Sequence, residues 1–317
     1  MASSVAHEHL RNCDLHAYET RQFWYLNDLT KAPIMVDTLH GGDYQGEEPF
    51  MFKWTTRALV VALLVAIGFV AVPSADHSWG NYHWARTSNP FTLKLGDNVS
   101  SAWDAYLATA SSDWSLSSML DTTLVAGGTT PRRCRPTSGR IEVCSASYGN
   151  NGWLGLAQIW ASGSHITQAT AKMNDTYLNT STYNTPAWRR LVMCQEIAHG
   201  FGLHHQDENF NNPNLGSCMD YTSDPDGPPS NEHPNQHDYD QLIEIYTHLD
   251  STTTVGMAVP NGMPPAMGQI DFDTPAQWGQ LVRSSANRRA EVYELDFGRG
   301  HKVITHVFWA DPSADAQ

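Results

Sequence analysis

Basic residues are scarce in this chain. Nineteen Lys and Arg stand against 33 Asp and Glu, giving a formal net charge of −14 and a pI near 5.4. Phosphate-rich partners are held by clustered Lys and Arg, so this balance excludes nucleic acid and anionic membrane surfaces as partners. Glycine-rich phosphate loops, basic stripes and internal repeats are also missing. No apolar run reaches the ~20 residues that a spanning helix needs. The longest, Ala58 to Val72, follows Lys53 and Arg57 and precedes Pro73-Ser74-Ala75. That length suits the apolar region of a signal peptide, and Met51 to Ala75 carries the three regions of such a leader in order. Residues 1–50 then precede the true start; the alternative keeps Met1 and makes the run a short signal anchor with a cytoplasmic N-terminus.

Cysteine is sparse as well. Removing the leader and Cys13 leaves Cys134, Cys144, Cys194 and Cys218, which allow three pairings. The local pairing, Cys134 with Cys144 and Cys194 with Cys218, is the most economical for an oxidising compartment and fits a secreted protein. In the chain-entropy model the second loop is worth about 3 kcal/mol. Alternatively, Cys194 is simply a buried apolar side chain.

What is present is an ordinary globular composition, 41% hydrophobic and 16% charged over 317 residues, enough for one domain of catalytic size plus extras. Phe91 to Leu95 alternates as a strand, and Gly96-Asp97-Asn98 breaks it. Trp103, Tyr106, Leu107, Ala110 and Trp114 recur at helical spacing within 99–114. Strand candidates follow at 122–126, 140–147, 154–160 and 166–173, separated by Gly, Pro, Ser and Asn clusters. Thr185-Pro186 supplies a cap and a first-turn proline for a helix through Trp188, Leu191 and Val192. Pro234-Asn235 opens a last helix. Residues 251–278 read as a linker, and Val282, 290–297 and 303–309 as a small β segment within 279–317. The expected fold class is α+β, with a twisted sheet of about five strands.

The helix after Pro186 runs into Cys194-Gln195-Glu196-Ile197-Ala198-His199-Gly200-Phe201-Gly202-Leu203-His204-His205, with Ser217-Cys218-Met219-Asp220-Tyr221 downstream. Gln195 and His199 lie one turn apart on one face, with Glu196 beside them. Gly202 lets the chain turn so that His205 swings back as a third ligand. Three protein ligands with a fourth position open are the requirement of a catalytic zinc.

These residues resemble the metzincin zinc endopeptidases, whose pattern is HExxHxxGxxH followed by a Met-turn. Glu196, His199, Gly202 and His205 match in register, and Met219 with Tyr221 matches the turn. The resemblance covers about residues 91–250 and implies a metallopeptidase domain over 76–250 that cleaves a peptide or protein substrate with Zn2+. Glu196 would act as general base toward metal-bound water. Tyr221 would reach the metal or the oxyanion, Met219 would form the floor beneath the metal, and the strand at 154–160 would be the edge on which substrate pairs. The departure is Gln195, which stands where the family has its first His. An amide oxygen is a weaker zinc donor than imidazole, and it would face the metal while the NH2 found another acceptor. Asp207 or His204 could compensate. The competing expectation is a catalytically inactive, metzincin-shaped protein that holds a partner in its cleft. His165, His233 and His237 read as solvated, Asp207-Glu208 as too few acids for calcium, and Asn98, Asn174 and Asn179 as glycosylation sequons.

Overall fold

In FTLKLGDN, Phe91, Leu93 and Leu95 turn inward while Thr92 and Lys94 face out, the period-2 signature of a strand with one covered face. A computed structural model of the chain describes residues 78–258, 263–268 and 272–312. The leader region and residues 1–50 lie outside the described residues, among which no helix is long and apolar enough to cross a membrane. The elements are β1 (His83–Trp84), β2 (Phe91–Asn98), α1 (Asp104–Trp114), β3 (Leu120–Ala126), β4 (Ile141–Ala146), β5 (Trp153–Ser162), β6 (His165–Asn174), the single turn α2 (Asp175–Leu178), α3 (Pro186–His199), α4 (Gln236–Tyr246), β7 (Gln280–Ser284), β8 (Ala290–Gly298) and β9 (His301–Trp309).

The fold is α+β with one mixed sheet in the order β3-β2-β4-β6-β5-β9-β8-β7, and β1 pairs in parallel with the start of β6. The strands expected at about five are present as β2–β6, and β1 with the terminal segment, β7–β9, enlarges the sheet to nine among the described residues. The terminal β segment does not stand alone. β9 pairs antiparallel with β5 from Trp153 to Ser162, and β8 and β7 follow as a meander. The strand expected to be a free edge for substrate is therefore covered on both sides, by β6 and β9. Alternation hides this in sequence: Ile304 and Phe308 face one core and Val303 and Val307 the other, so β9 reads as any two-faced strand.

The stretch expected to be a linker also packs. Met267, Phe272 and Trp278 join Tyr148, Trp153, Leu156 and Trp160 in a second core over β5 and β9. Burying each such side chain contributes roughly 1.5–3 kcal/mol. The indoles of Trp160 and Trp278 donate to the carbonyls of Met267 and Phe272 at 2.8 and 2.7 Å, so this irregular backbone is not left with unpaired polar groups.

The main core lies between α1, α3, α4 and the other sheet region. α3 runs through it, buried on nearly every side. Thr185 caps it by accepting from the Trp188 amide at 3.2 Å, as expected. At its other end, carbonyls that have no helical partner are taken by buried side chains: the Trp84 indole donates to Gly200 at 2.8 Å and the Tyr246 hydroxyl to Phe201 at 2.7 Å. Two disulfides, Cys134–Cys144 and Cys194–Cys218, hold the expected local pairing. The second ties α3 to the Met219 turn.

Two of the sequons are structural hubs instead. Asn98 donates to Glu142 at 2.6 Å and accepts from the Thr129 amide. Asn174, fully buried, caps α2 through the Thr176 amide, accepts from the Tyr148 amide, and donates to Gly149, Asn151 and Trp153. Removing it strands several buried backbone groups at once. Asn174→Ala is therefore expected to lower unfolding free energy by roughly 3 kcal/mol or more, measured by denaturant titration; a loss below about 1 kcal/mol would show that water or neighbours replace these bonds.

Candidate metal centre

A helix buried on all sides should be apolar throughout, yet α3 ends in Gln195, Glu196 and His199, all essentially without solvent exposure. Each buried polar atom needs a partner, and the exceptions mark where something else is required. His199 Nδ1 lies 2.9 Å from the Leu203 carbonyl and so donates to it, leaving Nε2 with a lone pair. Gly202, at φ +92°, turns the chain immediately after, and any Cβ there would strike the Tyr82 carbonyl. The turn returns His205 to the site. Its Nδ1 faces the Glu208 carboxylate at 3.3 Å, which again leaves Nε2 as the lone-pair nitrogen.

The two Nε2 atoms meet at 3.0 Å. A contact of this kind between two imidazole nitrogens is held either by one shared proton or by a cation that both ligate. Donors around a tetrahedral zinc with bonds of about 2.0–2.1 Å sit roughly 3.3 Å apart, close to this spacing.

The third imidazole comes from a place the motif does not indicate. His306 of β9 stacks on His199 with ring centroids 3.9 Å apart and planes at 11°, and Trp79 closes its other flank at 4.0 Å. Neither of its ring nitrogens has a hydrogen-bond partner. One ligand atom from each of His199, His205 and His306 lies within 4.8 Å of the others. Burial pushes His199 down to about 4 and His306 well below the ordinary imidazole range, so both are neutral and able to ligate at neutral pH.

The remaining expected residues gather here too. The amide nitrogen of Gln195 donates to the Cys218 carbonyl at 2.9 Å, while its oxygen is buried and unpartnered. Both carboxylate oxygens of Glu196 are likewise unpartnered, and burial drives its carboxyl far above the usual range. The space for it is made by Gly155 of β5, where a Cβ would collide with the carboxylate. Tyr221 lays its ring against His205 at 4.2 Å; burial, then the nearby Glu196 and Glu208 carboxylates, raise its hydroxyl well above the normal value. Met219 is fully buried just after the Cys194–Cys218 bridge. The orphaned atoms and the imidazole donor set fit a divalent ion held by nitrogen, with zinc well suited to it.

Some expectations move. The Asp207 carboxylate turns away from the site, accepting from the Asn209 amide and the Asn212 side chain, both at 2.6 Å, while its carbonyl accepts from the Tyr221 amide at 3.1 Å. Glu208 supports the site instead, bound to His205 and to Arg283 of β7 at 3.0 Å. His204 is buried 3.5 Å from the same carboxylate. His165, read as solvated, begins β6 with its Nε2 3.2 Å from Asp250. His306 was missed because it sits over a hundred residues from the motif. Its signal was a polar residue on the Ile304/Phe308 face of an alternating strand.

No family model matches the chain, and no curated protein does. Among solved structures, the chain is similar to high choriolytic enzyme 1, a hatching enzyme zinc-protease from the medaka fish Oryzias latipes, at 13% identity and a TM-score of 0.30, covering 53% of this chain and 96% of that one.

His306→Ala is expected to weaken zinc retention against a chelator by more than about 100-fold, since disturbing only the outer partners of ligands costs 10–100-fold. Gln195→Ala should cost less. The reverse order would assign the third position to Gln195.

Proposed function

We propose that this chain is a zinc-dependent endopeptidase of metzincin type whose cleft is closed by its own C-terminal strand. The observation that carries the reading is the pair of facing Nε2 atoms of His199 and His205, with unpartnered His306, Gln195 and Glu196 atoms around them. His199, His205 and His306 would hold the ion. When bound, it supplies Lewis acidity that polarises a carbonyl and acidifies water.

The chain's own residues do the rest. Burial alone favours the protonated acid of Glu196; a cation beside it would restore the carboxylate. The carboxylate then takes a proton from the attacking water and returns it to the leaving amine nitrogen, in the space that Gly155 leaves for it. The Tyr221 hydroxyl, kept protonated, donates to a developing oxyanion, and Met219 floors the site. An extended peptide would pair along β5 in the antiparallel sense that β9 now uses. Cleavage thus requires β9 to part from β5 and to carry His306 off the ion, which His199, His205 and the Gln195 oxygen would then hold with a position open. The two disulfides, with the leader-like sequence of residues 51–75, support secretion.

A second reading is favoured by that same covering strand. Structural zinc sites are closed by four protein ligands, whereas catalytic ones keep a position open. If the Gln195 oxygen joins the three imidazoles, the ion is a staple between α3 and β9, and the protein is an inactive metzincin-shaped scaffold.

One experiment separates the two. Zinc-loaded wild type and Glu196→Ala are assayed on an unfolded protein substrate, with and without urea well below the unfolding midpoint. The peptidase reading expects equal zinc in both proteins, hydrolysis by wild type that rises as urea loosens β9, and a loss of at least about 100-fold in Glu196→Ala, in the range for removing a general base. Equal rates in the two proteins would leave only the staple.

A further inference from the structure

A second group of imidazoles gathers far along the chain from the first. His83 of β1 and His165 of β6 are register partners across a parallel pair, with rings 5.0 Å apart. The chain after α4 brings His248 and Asp250 against them. His83 Nε2 is 3.1 Å from His248 Nε2 and 3.5 Å from Asp250 Oδ1, and His248 Nε2 is 4.0 Å from the same oxygen.

These atoms are aimed rather than merely near. His83 Nδ1 is 2.7 Å from the Asn81 carbonyl and donates to it, so its Nε2 presents a lone pair toward His248 and Asp250. Asp250 is held from behind: its Oδ2 accepts from the Arg86 amide at 3.1 Å and from the Arg86 guanidinium at 3.0 Å, which turns Oδ1 to the imidazoles. Arg86 is itself buried, lies 4.7 Å over the Tyr246 ring, and also donates to the His248 carbonyl, so one side chain fixes both ends of the loop. His165 Nε2 supports the carboxylate at 3.2 Å. Burial keeps His83 below the ordinary imidazole value. Burial opposes ionisation of Asp250, but the Arg86 hydrogen bond and the neighbouring His83 and His165 outweigh it and hold the carboxyl low.

We propose that His83, His248 and Asp250 form a second metal site for a first-row divalent cation, zinc foremost, with His165 orienting the carboxylate. The donor spacings of 3.1, 3.5 and 4.0 Å bracket the ~3.3 Å expected around tetrahedral zinc. The half-exposed His248 ring leaves the fourth position to water. The ion would clip β1, where the described chain enters the sheet, to the segment that leaves α4. This site is independent of the peptidase reading, sharing no residue with it.

The test is zinc stoichiometry of the metal-free full chain, by calorimetry and by elemental analysis after dialysis. Wild type is expected to bind two equivalents and His248→Ala one. His248 is half exposed, and circular dichroism checks that the variant folds. As a second arm, zinc is expected to raise the melting temperature of His306→Ala, in which the first site is weakened, and to lose most of that effect when His248→Ala is added. Equal stoichiometry in wild type and His248→Ala, or the same thermal shift in both members of the second pair, would overturn the proposal.

Discussion

Two buried imidazoles facing each other at 3.0 Å are the constraint on which the rest of the structure turns. Their outer nitrogens are committed to the Leu203 carbonyl and to Glu208, so neither ring can relieve the approach by changing tautomer without losing a bond. The contact is satisfied either by a proton shared between the two nitrogens or by a metal cation between them. The cation would also meet the unpartnered atoms of His306, Gln195 and Glu196, each of which would carry a desolvation cost of about 1–3 kcal/mol if left alone.

Much of the architecture serves to hold that arrangement. Thr185 and Pro186 start α3, while Trp84 and Tyr246 satisfy its last carbonyls. The Cys194–Cys218 bridge pins its middle to the Met219 turn, from which the Cys218 carbonyl orients Gln195. Gly202 gives the reversal and Gly155 the space. The unusual part is β9, which seats on β5 through ordinary antiparallel pairing and lowers one histidine onto the site. It supplies an imidazole beside Gln195, the neutral amide one turn before His199.

The parts of this design that were legible in sequence are local. Alternation and capping marked β2, β6, α3 and α4, and the 3.6-residue period put Gln195, Glu196 and His199 on one helix. Fixed register predicted that His205 would return, and the amide of Gln195 bonds as expected, with its NH2 turned to a backbone acceptor. The rest depended on distance along the chain. Nothing local tells β9 that its partner is β5, since long-range strand pairing is set by which faces remain unburied once everything else has packed. For the same reason Met267, Phe272 and Trp278 looked like linker residues, and His165 looked like a solvated one. A single His at a core-facing position of an alternating strand was the one visible trace of the third imidazole.

The central claim is that His306, and not Gln195 alone, completes the ion's ligand set. Anomalous diffraction at the zinc edge from crystals of the zinc-loaded full chain tests it most directly. The account predicts a peak within bonding distance, about 2.0–2.1 Å, of His199, His205 and His306. A peak bonded to His199, His205 and the Gln195 oxygen with His306 turned away, or no peak among these residues, would contradict it.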